Sequence, residues 1–244
     1  MLLIVALVVG IFIGAVGVGG VLLIPAIHAL APLPMAAAMG TALFTFIFTG
    51  VASTWWFQRR GSIDWGMAMP LGAGAIVFGA IGAWVNAHLD ARPLALVLAT
   101  LIVAAGAWTL VSGRAAQAAA FAGRPRAQRA LLLTIGAVTG FGSGLTGVGG
   151  PAVSVPLMVL SGFPTLAAVG ASQAAQIVAA LSGSAGFLSR DLVDLRLAAV
   201  LVLFEVAGVW LGVSLAHRVG ASVLRSFVGV LCVVVGLGLV WRWL

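Results

Sequence analysis

Lysine and tyrosine are absent from the 244 residues, cysteine occurs once, and charged residues make up only 7% of the chain. Soluble domains carry about 25% charged residues, so the shortage of charge, together with 63% hydrophobic residues, excludes a water-soluble fold. Without lysine the chain cannot form a GxxxxGK[ST] phosphate loop, and the single Cys232 excludes an intramolecular disulfide. The composition therefore predicts an integral membrane protein.

Clusters of catalytic or metal-ligating side chains are also missing from the sequence. The three histidines, His28, His88 and His217, show no metal-ligand spacing. No stripe of basic residues interleaved with aromatic residues occurs, which argues against nucleic-acid binding. The sequence thus predicts a protein that is not an enzyme and that holds no metal or cofactor.

Uncharged apolar stretches long enough to cross a bilayer recur along the chain. A hydrocarbon core of about 30 Å takes roughly 20 apolar residues as a helix. The pattern predicts an all-α integral membrane protein with about eight transmembrane segments. They lie at 1–31, 35–57, 66–87 and 93–111, twice within 130–189, and at 197–216 and 227–240.

The sequence repeats itself at a shift of 130 residues. The glycines of GAVGVGG at 14–20 fall on those of GLTGVGG at 144–150, and Pro34 falls on Pro164. Repetition over most of the chain predicts two tandem modules of four segments each, joined by an arginine-rich cytoplasmic linker. The predicted bounds are 1–111 for module 1, 112–129 for the linker and 130–244 for module 2.

Two insertions of these modules are compatible with the arginines. If the glycine-broken first segment crosses the membrane, the modules are parallel, with nine arginines inside and three outside. If that segment dips in and returns, each module has three crossings and the modules are inverted, with eight inside and four outside. The excess of cytoplasmic arginine does not choose between them.

The two GVGG runs predict breaks in membrane helices. Each glycine costs about 1 kcal/mol relative to alanine within a helix, and Pro151 suits the first turn of a new helix. A half-helix that starts there presents free backbone N–H groups and a partial positive charge, which favour an anion. The alternative is that these glycines serve close helix packing alone.

Small polar residues near the two breaks complete a predicted anion site. Gln173 and Gln176 are three residues apart and share a helix face, so they either line a polar interior or form hydrogen bonds across helices. The predicted substrate-binding residues are Gly17, Gly19, Gly20, Thr41, Ser143, Thr146, Gly147, Gly149, Gly150, Pro151, Ser172, Gln173 and Gln176.

Glu205 is the one acid within a predicted span, and its counterpart in module 1 is Ala75. Acids inside a membrane are functional candidates, so Glu205 is the predicted proton-coupling residue. The alternative is a neutral or paired structural acid. Asp64 and Asp194, which correspond under the shift, are predicted to cap helices.

These motifs resemble the TauE/SafE family of sulfite exporters over essentially the whole chain. The resemblance is carried by GVGG…P at 17–25 and 147–156, by GTAL at 40–43, and by RRGSIDW at 59–65. It implies a multi-pass transporter, usually an exporter, of a small sulfur-containing or organic anion such as sulfite or a sulfonate. It also implies the bacterial-type cytoplasmic (inner) membrane.

The functional expectation is a secondary transporter that moves a small anion by alternating access between the two modules, with coupling to protons. The alternatives are a passive anion channel and a membrane scaffold subunit that transports nothing. The expected partners are the anion, the lipid bilayer and a second copy of the chain in a homo-oligomer.

Overall fold

The described part of the chain is entirely helical in the computed structural model. It comprises residues 1–88, 123–219 and 221–243, together with 96, 99, 100, 103, 106, 107, 110, 120 and 121. The helices are α1 (Leu2–Val16), α2 (Gly20–Leu30), α3 (Met35–Arg59), α4 (Trp65–His88), α5 (Pro125–Thr146), α6 (Pro151–Leu160), α7 (Thr165–Leu188), α8 (Leu195–Arg218) and α9 (Ala221–Trp243).

Four of these helices, α3, α4, α7 and α8, have the length and apolar composition needed to cross a membrane. The protein is therefore a multi-pass membrane protein. Most of the predicted segment at 93–111 and most of the predicted linker at 112–129 lie outside the described residues. Residues 125–129 of that linker belong to α5, because Pro125 occupies the first helical turn, where its missing N–H costs no hydrogen bond.

Acidic side chains begin two of the long helices, as predicted. The Asp194 carboxylate accepts a hydrogen bond of 2.9 Å from the backbone N–H of Leu197, at the start of α8. The Asp64 carboxylate accepts one of 2.8 Å from the N–H of Gly66, at the start of α4. Each bond satisfies one of the four N–H groups that a helix start leaves free.

Glycines bring α1 into backbone contact with α8. A Cβ atom built on Gly10 would lie 2.8 Å from the carbonyl carbon of Glu205, and one on Gly14 would lie 3.0 Å from that of Val209. Small residues permit this close approach of membrane helices. Because residue numbers rise together along the contact, α1 and α8 are parallel.

The same arrangement joins α4 and α5. A Cβ atom on Gly140 would lie 2.8 Å from the carbonyl carbon of Ala75, and one on Gly144 would lie 3.1 Å from that of Gly79. These helices are therefore also parallel. Moving each residue by 130 positions converts the contacts Gly10–Glu205 and Gly14–Val209 into Gly140–Ala75 and Gly144–Gly79.

The remaining contacts fix the directions of the other long helices. Thr41 bonds Asp194, and Arg60 bonds Val213, so α3 is parallel to α8. Residues 43 and 50 of α3 contact residues 183 and 177 of α7, so these two helices are antiparallel. Residues 72 and 83 of α4 contact residues 178 and 186, so α4 is parallel to α7. Consequently each helix runs opposite to its own counterpart under the shift: α1 opposite to α5, α3 opposite to α7, and α4 opposite to α8.

Both predicted helix breaks are confirmed. Gly17 ends α1 with φ 80°, and Gly147 ends α5 with φ 70°, in the left-handed region that glycine adopts readily. After each break the chain turns back: a Cβ atom on Gly19 would lie 2.8 Å from the Val9 carbonyl oxygen, and one on Gly150 would lie 3.1 Å from Thr139 Cγ2. Residues ten or eleven apart in one helix would be about 15–17 Å apart. Each broken segment is therefore a hairpin.

We expect Gly140→Ala to lower the thermal midpoint of the purified protein in detergent, because the added methyl overlaps backbone atoms of Ala75. Overpacking of this kind costs about 1–3 kcal/mol. The control is Gly238→Ala on α9, where no described residue lies within 4 Å, and where alanine favours the helix by up to about 1 kcal/mol. Equal midpoints for the two variants would contradict the packing described above.

Candidate functional site

The two glycine breaks meet inside the bundle. A Cβ atom built on Gly17 would lie 2.6 Å from Cβ of Pro151, so the first break touches the start of α6. Val18 and Val148, at the centres of the two breaks, are 1% and 4% exposed. Irregular backbone at membrane depth is tolerated when it is buried in protein, and the hairpins provide that burial for each other.

The second break leads into the start of α6. Pro151 is the first residue of α6, as predicted, with Gly150 as the residue that precedes the helix. Among the described residues, no hydrogen-bond partner is found for the N–H groups of Gly149, Gly150 and Ala152. Free N–H groups at a helix start carry a partial positive charge. This end of α6 is thus suited to a negatively charged group.

The two glutamines of α7 form hydrogen bonds across helices, which was one of the two predicted alternatives. Gln173 Nε2 donates to the carbonyl oxygen of Ile13 in the last turn of α1. Gln176 Nε2 donates to the carbonyl oxygen of Phe46 at 3.0 Å and to Thr49 Oγ1 at 3.3 Å, both on α3. These bonds hold α7 between the first hairpin and α3.

Hydroxyl groups surround the second break. Thr146 donates to the Gly142 carbonyl oxygen at 2.7 Å and accepts from the Val148 N–H at 3.3 Å. The Ser143 hydroxyl is buried, with no partner among the described residues. Thr146 therefore shapes the turn, whereas the hydroxyl of Ser143 has hydrogen-bonding capacity to spare.

A second group of hydroxyls lies along α6. Ser154 Oγ donates to Ser172 Oγ at 2.8 Å, and Ser172 in turn contacts the sulfur of Met158. The predicted Ser172 is therefore joined to α6, the helix that begins at the second break.

Gly149 brings the second break close to α3. Its φ is 93°, and a Cβ atom there would lie 3.2 Å from the Phe46 ring and 4.0 Å from Gln176 Oε1. A larger side chain at this position would therefore crowd the Phe46 ring next to the start of α6. Gly20, the counterpart of Gly150 under the shift, is the first residue of α2.

Thr41 is a predicted site residue that lies away from both breaks, whereas Thr139 is not among the predicted residues and lies at the second break. Thr41 Oγ1 accepts a 3.0 Å hydrogen bond from the Asp194 N–H, at the start of α8 and not at either break. Thr139, which the sequence reasoning missed, packs its methyl group near Gly150, and its buried hydroxyl has no partner among the described residues. Its position four residues before Ser143, on the same helix face, was the available signal.

Glu205 lies in the middle of α8 and is fully buried. Neither carboxylate oxygen has a hydrogen-bond partner among the described residues. Thr45 of α3 lies beside the carboxyl group, but its own hydroxyl donates to the Ala42 carbonyl oxygen at 2.8 Å. The structure therefore gives no ion pair for this acid within the described part of the chain.

We expect Gly147→Ala to destabilise the protein more than Gly61→Ala. Both glycines have left-handed backbone, with φ 70° and 64°, so alanine costs about 1–2 kcal/mol of strain at each. Of the two, Gly147 is the one where the new methyl also meets a described neighbour, because it would lie 3.0 Å from the Met39 carbonyl oxygen, whereas no described residue lies within 4 Å at Gly61. Thermal midpoints in detergent measure the difference; a larger loss at Gly61 would refute the packed break.

Known proteins resemble the chain along nearly its full length. It is 24% identical to the probable membrane transporter protein YdhB of Bacillus subtilis, covering 97% of this chain and 98% of that protein. It is 24% identical to YunE of the same organism, a probable membrane transporter protein, with 98% and 97% covered. A probable membrane transporter protein of Xylella fastidiosa is 26% identical, with 84% and 80% covered.

No solved structure matches the chain. The family model described as sulfite exporter TauE/SafE matches residues 2–239. Since that match covers almost all of the helices described above, the chain belongs to the TauE/SafE family of membrane transporters.

Proposed function

We propose that the protein is a secondary transporter that exports a small sulfur-containing or organic anion, such as sulfite or a sulfonate, across the bacterial-type cytoplasmic membrane. The observation that carries the proposal is the meeting of two glycine breaks in the buried centre, where α6 begins with unpaired N–H groups. The family description, which names sulfite export, supports the substrate class.

The chemistry at the start of α6 fits an oxyanion. Backbone N–H groups of Gly149, Gly150 and Ala152 can donate to its oxygens, as helix starts do for phosphate and carboxylate groups. The unpaired hydroxyls of Ser143 and Thr139 add two donors. A buried site of low dielectric strengthens such hydrogen bonds, and a small anion needs only a few of them.

Four of the other predicted residues position the helices around the site. Gly17 and Gly19 shape the first hairpin, while Gln173 and Gln176 bind α7 to both neighbours. Gln173 Oε1 has no partner among the described residues, and an acceptor of this kind is suited to a protonated oxygen of the substrate.

The contacts between α1 and α8 recur between α5 and α4 at a shift of 130 residues, and each helix runs opposite to its counterpart; both observations support two inverted modules. In this arrangement the predicted eight segments become one hairpin and three crossing segments in each module. Arg60 and Arg218 then lie at the cytoplasmic end together with the linker. Inverted repeats with broken helices near the midplane are typical of secondary transporters, and alternating access follows from rocking one module against the other.

We infer that Glu205 couples transport to protons. It is buried in α8, the helix packed against the first hairpin, and has no compensating charge among the described residues. An acid in this setting changes its charge only by taking up or releasing a proton, since an isolated buried carboxylate is costly. Movement of the hairpin would expose it to one side or the other.

Proteoliposomes provide the test of transport. We expect them to accumulate labelled sulfite or sulfoacetate above equilibrium when a pH gradient is imposed, and we expect Gly149→Leu to abolish this flux because the side chain is forced against Phe46 and Gln176 next to the start of α6. The matched control is Gly61→Leu, at a glycine that also has left-handed backbone, with φ 64°, and where no described residue lies within 4 Å of an added Cβ atom. Comparable expression and monodispersity of both variants exclude misfolding as the cause.

Each result decides between the candidate functions. Uptake that reaches equilibrium and never exceeds it would replace the proposal with a passive anion channel. A complete absence of flux would favour a scaffold subunit. Full activity of Gly149→Leu would remove the second break from the site.

We also expect Glu205→Gln to lose accumulation driven by the pH gradient while keeping exchange of anion for anion, because glutamine is isosteric but cannot release a proton. Counterflow of labelled against unlabelled anion, at equal pH on both sides, measures the exchange. Retention of gradient-driven accumulation in this variant would exclude Glu205 as the coupling residue.

A further inference from the structure

Four buried hydroxyl groups follow one another along α3 at intervals of four residues. They belong to Thr41, Thr45, Thr49 and Ser53, each 0% exposed, and they are called the hydroxyl stripe below. Residues four apart lie one above the other on a helix. With a rise of about 1.5 Å per residue, the stripe covers roughly 18 Å of a hydrocarbon core about 30 Å thick.

The four equivalent positions of α7 carry no hydroxyl group. A shift of 130 residues takes the stripe to Ala171, Ala175, Ala179 and Gly183, all of them buried. The same shift takes Glu205 to Ala75, also buried. The backbone contacts correspond under the shift, yet this row of hydroxyls and its neighbouring acid occur in only one of the two equivalent sets of positions.

The stripe connects three polar features of the bundle. At one end Thr41 accepts from the N–H of Asp194, next to solvent at the start of α8. Thr45 lies beside the carboxyl group of Glu205. Further along, Thr49 accepts from the amide of Gln176, whose Oε1 would lie 4.0 Å from a Cβ atom on Gly149.

Helix packing alone does not account for this row. Threonine hydroxyls in membrane helices commonly donate to a carbonyl one turn back, as Thr45 does to Ala42 at 2.8 Å and Thr49 does to Phe46 at a long 3.4 Å. Ser53 differs, because its buried hydroxyl has no partner among the described residues. No described residue uses its O–H donor or its two acceptor positions.

We propose that the hydroxyl stripe and Glu205 form a proton path. The equivalent positions on α7 and α4 carry neither a hydroxyl nor an acid, so they cannot form a second path of this kind. The proposal rests on the proposed transport function and gives its proton a route. Neighbouring hydroxyls about 6 Å apart are spaced for one water molecule between them, since each O–H···O bond spans about 2.8 Å.

Protons are conserved along such a path. The Glu205 carboxylic acid gives its proton to a water molecule, which passes a different proton to the next hydroxyl, and that hydroxyl releases its own hydrogen onward. The carboxylate left behind then takes a proton from the other side. Every hydroxyl ends with the one hydrogen it began with, after rotation about its C–O bond.

No other titratable group faces Glu205 in the described part of the chain. Helix α1 contains none, and neither does α7. On α3 the nearest are Arg59 and the following Arg60, whose guanidinium bonds the Val213 carbonyl oxygen two turns beyond Glu205. The acid is therefore the single proton-binding station of the path.

The path is closed at its other end by an aromatic ring. Phe57, four residues after Ser53, is fully buried, and its ring lies 5.0 Å from that of His217. His217 in turn forms a 2.8 Å hydrogen bond with Ser62 outside the bundle core. Protons would pass this end only after the Phe57 ring moves.

The test removes single hydroxyls and follows protons and anion together. Proteoliposomes containing a trapped pH-sensitive dye receive labelled sulfoacetate under a pH gradient. We expect Ser53→Ala and Thr45→Val to reduce proton movement and gradient-driven accumulation by at least about ten-fold, while counterflow exchange of the anion continues. Ser53→Thr and Thr45→Ser, which restore the hydroxyl, are expected to recover both.

Two controls separate a proton path from a structural role. Thr134→Val on α5 removes an exposed hydroxyl that donates to the Ala130 carbonyl oxygen, and it should leave both fluxes intact. Ser53→Ala removes no hydrogen bond seen among the described residues, so its thermal midpoint should not fall. A fall in midpoint that parallels the loss of flux would assign Ser53 to stability and overturn the path.

The failures of the two proposals look different. Stripe variants that match Thr134→Val, or accumulation driven by a sodium gradient and indifferent to pH, would overturn the proton path and leave anion transport standing. Absence of anion flux in the unaltered protein would overturn the proposed function and the path that rests on it.

Discussion

Backbone contact through glycine, between α1 and α8 and between α5 and α4, is the interaction on which the rest of the structure depends. The hydrocarbon core supplies no water for unpaired backbone groups, so a helix that stops and turns back must be enclosed by other helices. Glycines at 10 and 14, and at 140 and 144, allow that enclosure because a side chain there would collide with the neighbouring main chain. The hairpins, their meeting point and the free N–H groups follow from it.

Local features of this fold were readable from the sequence, because they are set by residues close together in the chain. The GVGG runs predicted both helix breaks, Pro151 predicted the start of α6, and Asp194 predicted a helix cap. Which helices are neighbours was not readable. Nearly uniform hydrophobicity carries no record of partners, and α1 packs on α8, about two hundred residues away in the chain.

The candidate site was predictable to a similar degree. The residues of the second break and the glutamines of α7 were identified, since glycines and amides stand out in an apolar chain. The acceptors of the glutamines, Ile13 and Phe46, are backbone carbonyls that leave no trace in the sequence. The role of Thr41 at the start of α8 depends on a contact across 153 residues, so depth in the membrane alone could not assign it.

The two hairpins differ in one respect that bears on the energetics of transport. The first break contains three residues, 17–19, and the second contains four, 147–150; α2 begins with glycine, whereas α6 begins with a proline of fixed φ. In the proposed alternating access, inverted modules of identical sequence would give inward-open and outward-open forms of equal free energy. Unequal hairpins contribute a free-energy difference between these two forms, so a carrier of this kind would favour one side when it is empty, even without a gradient.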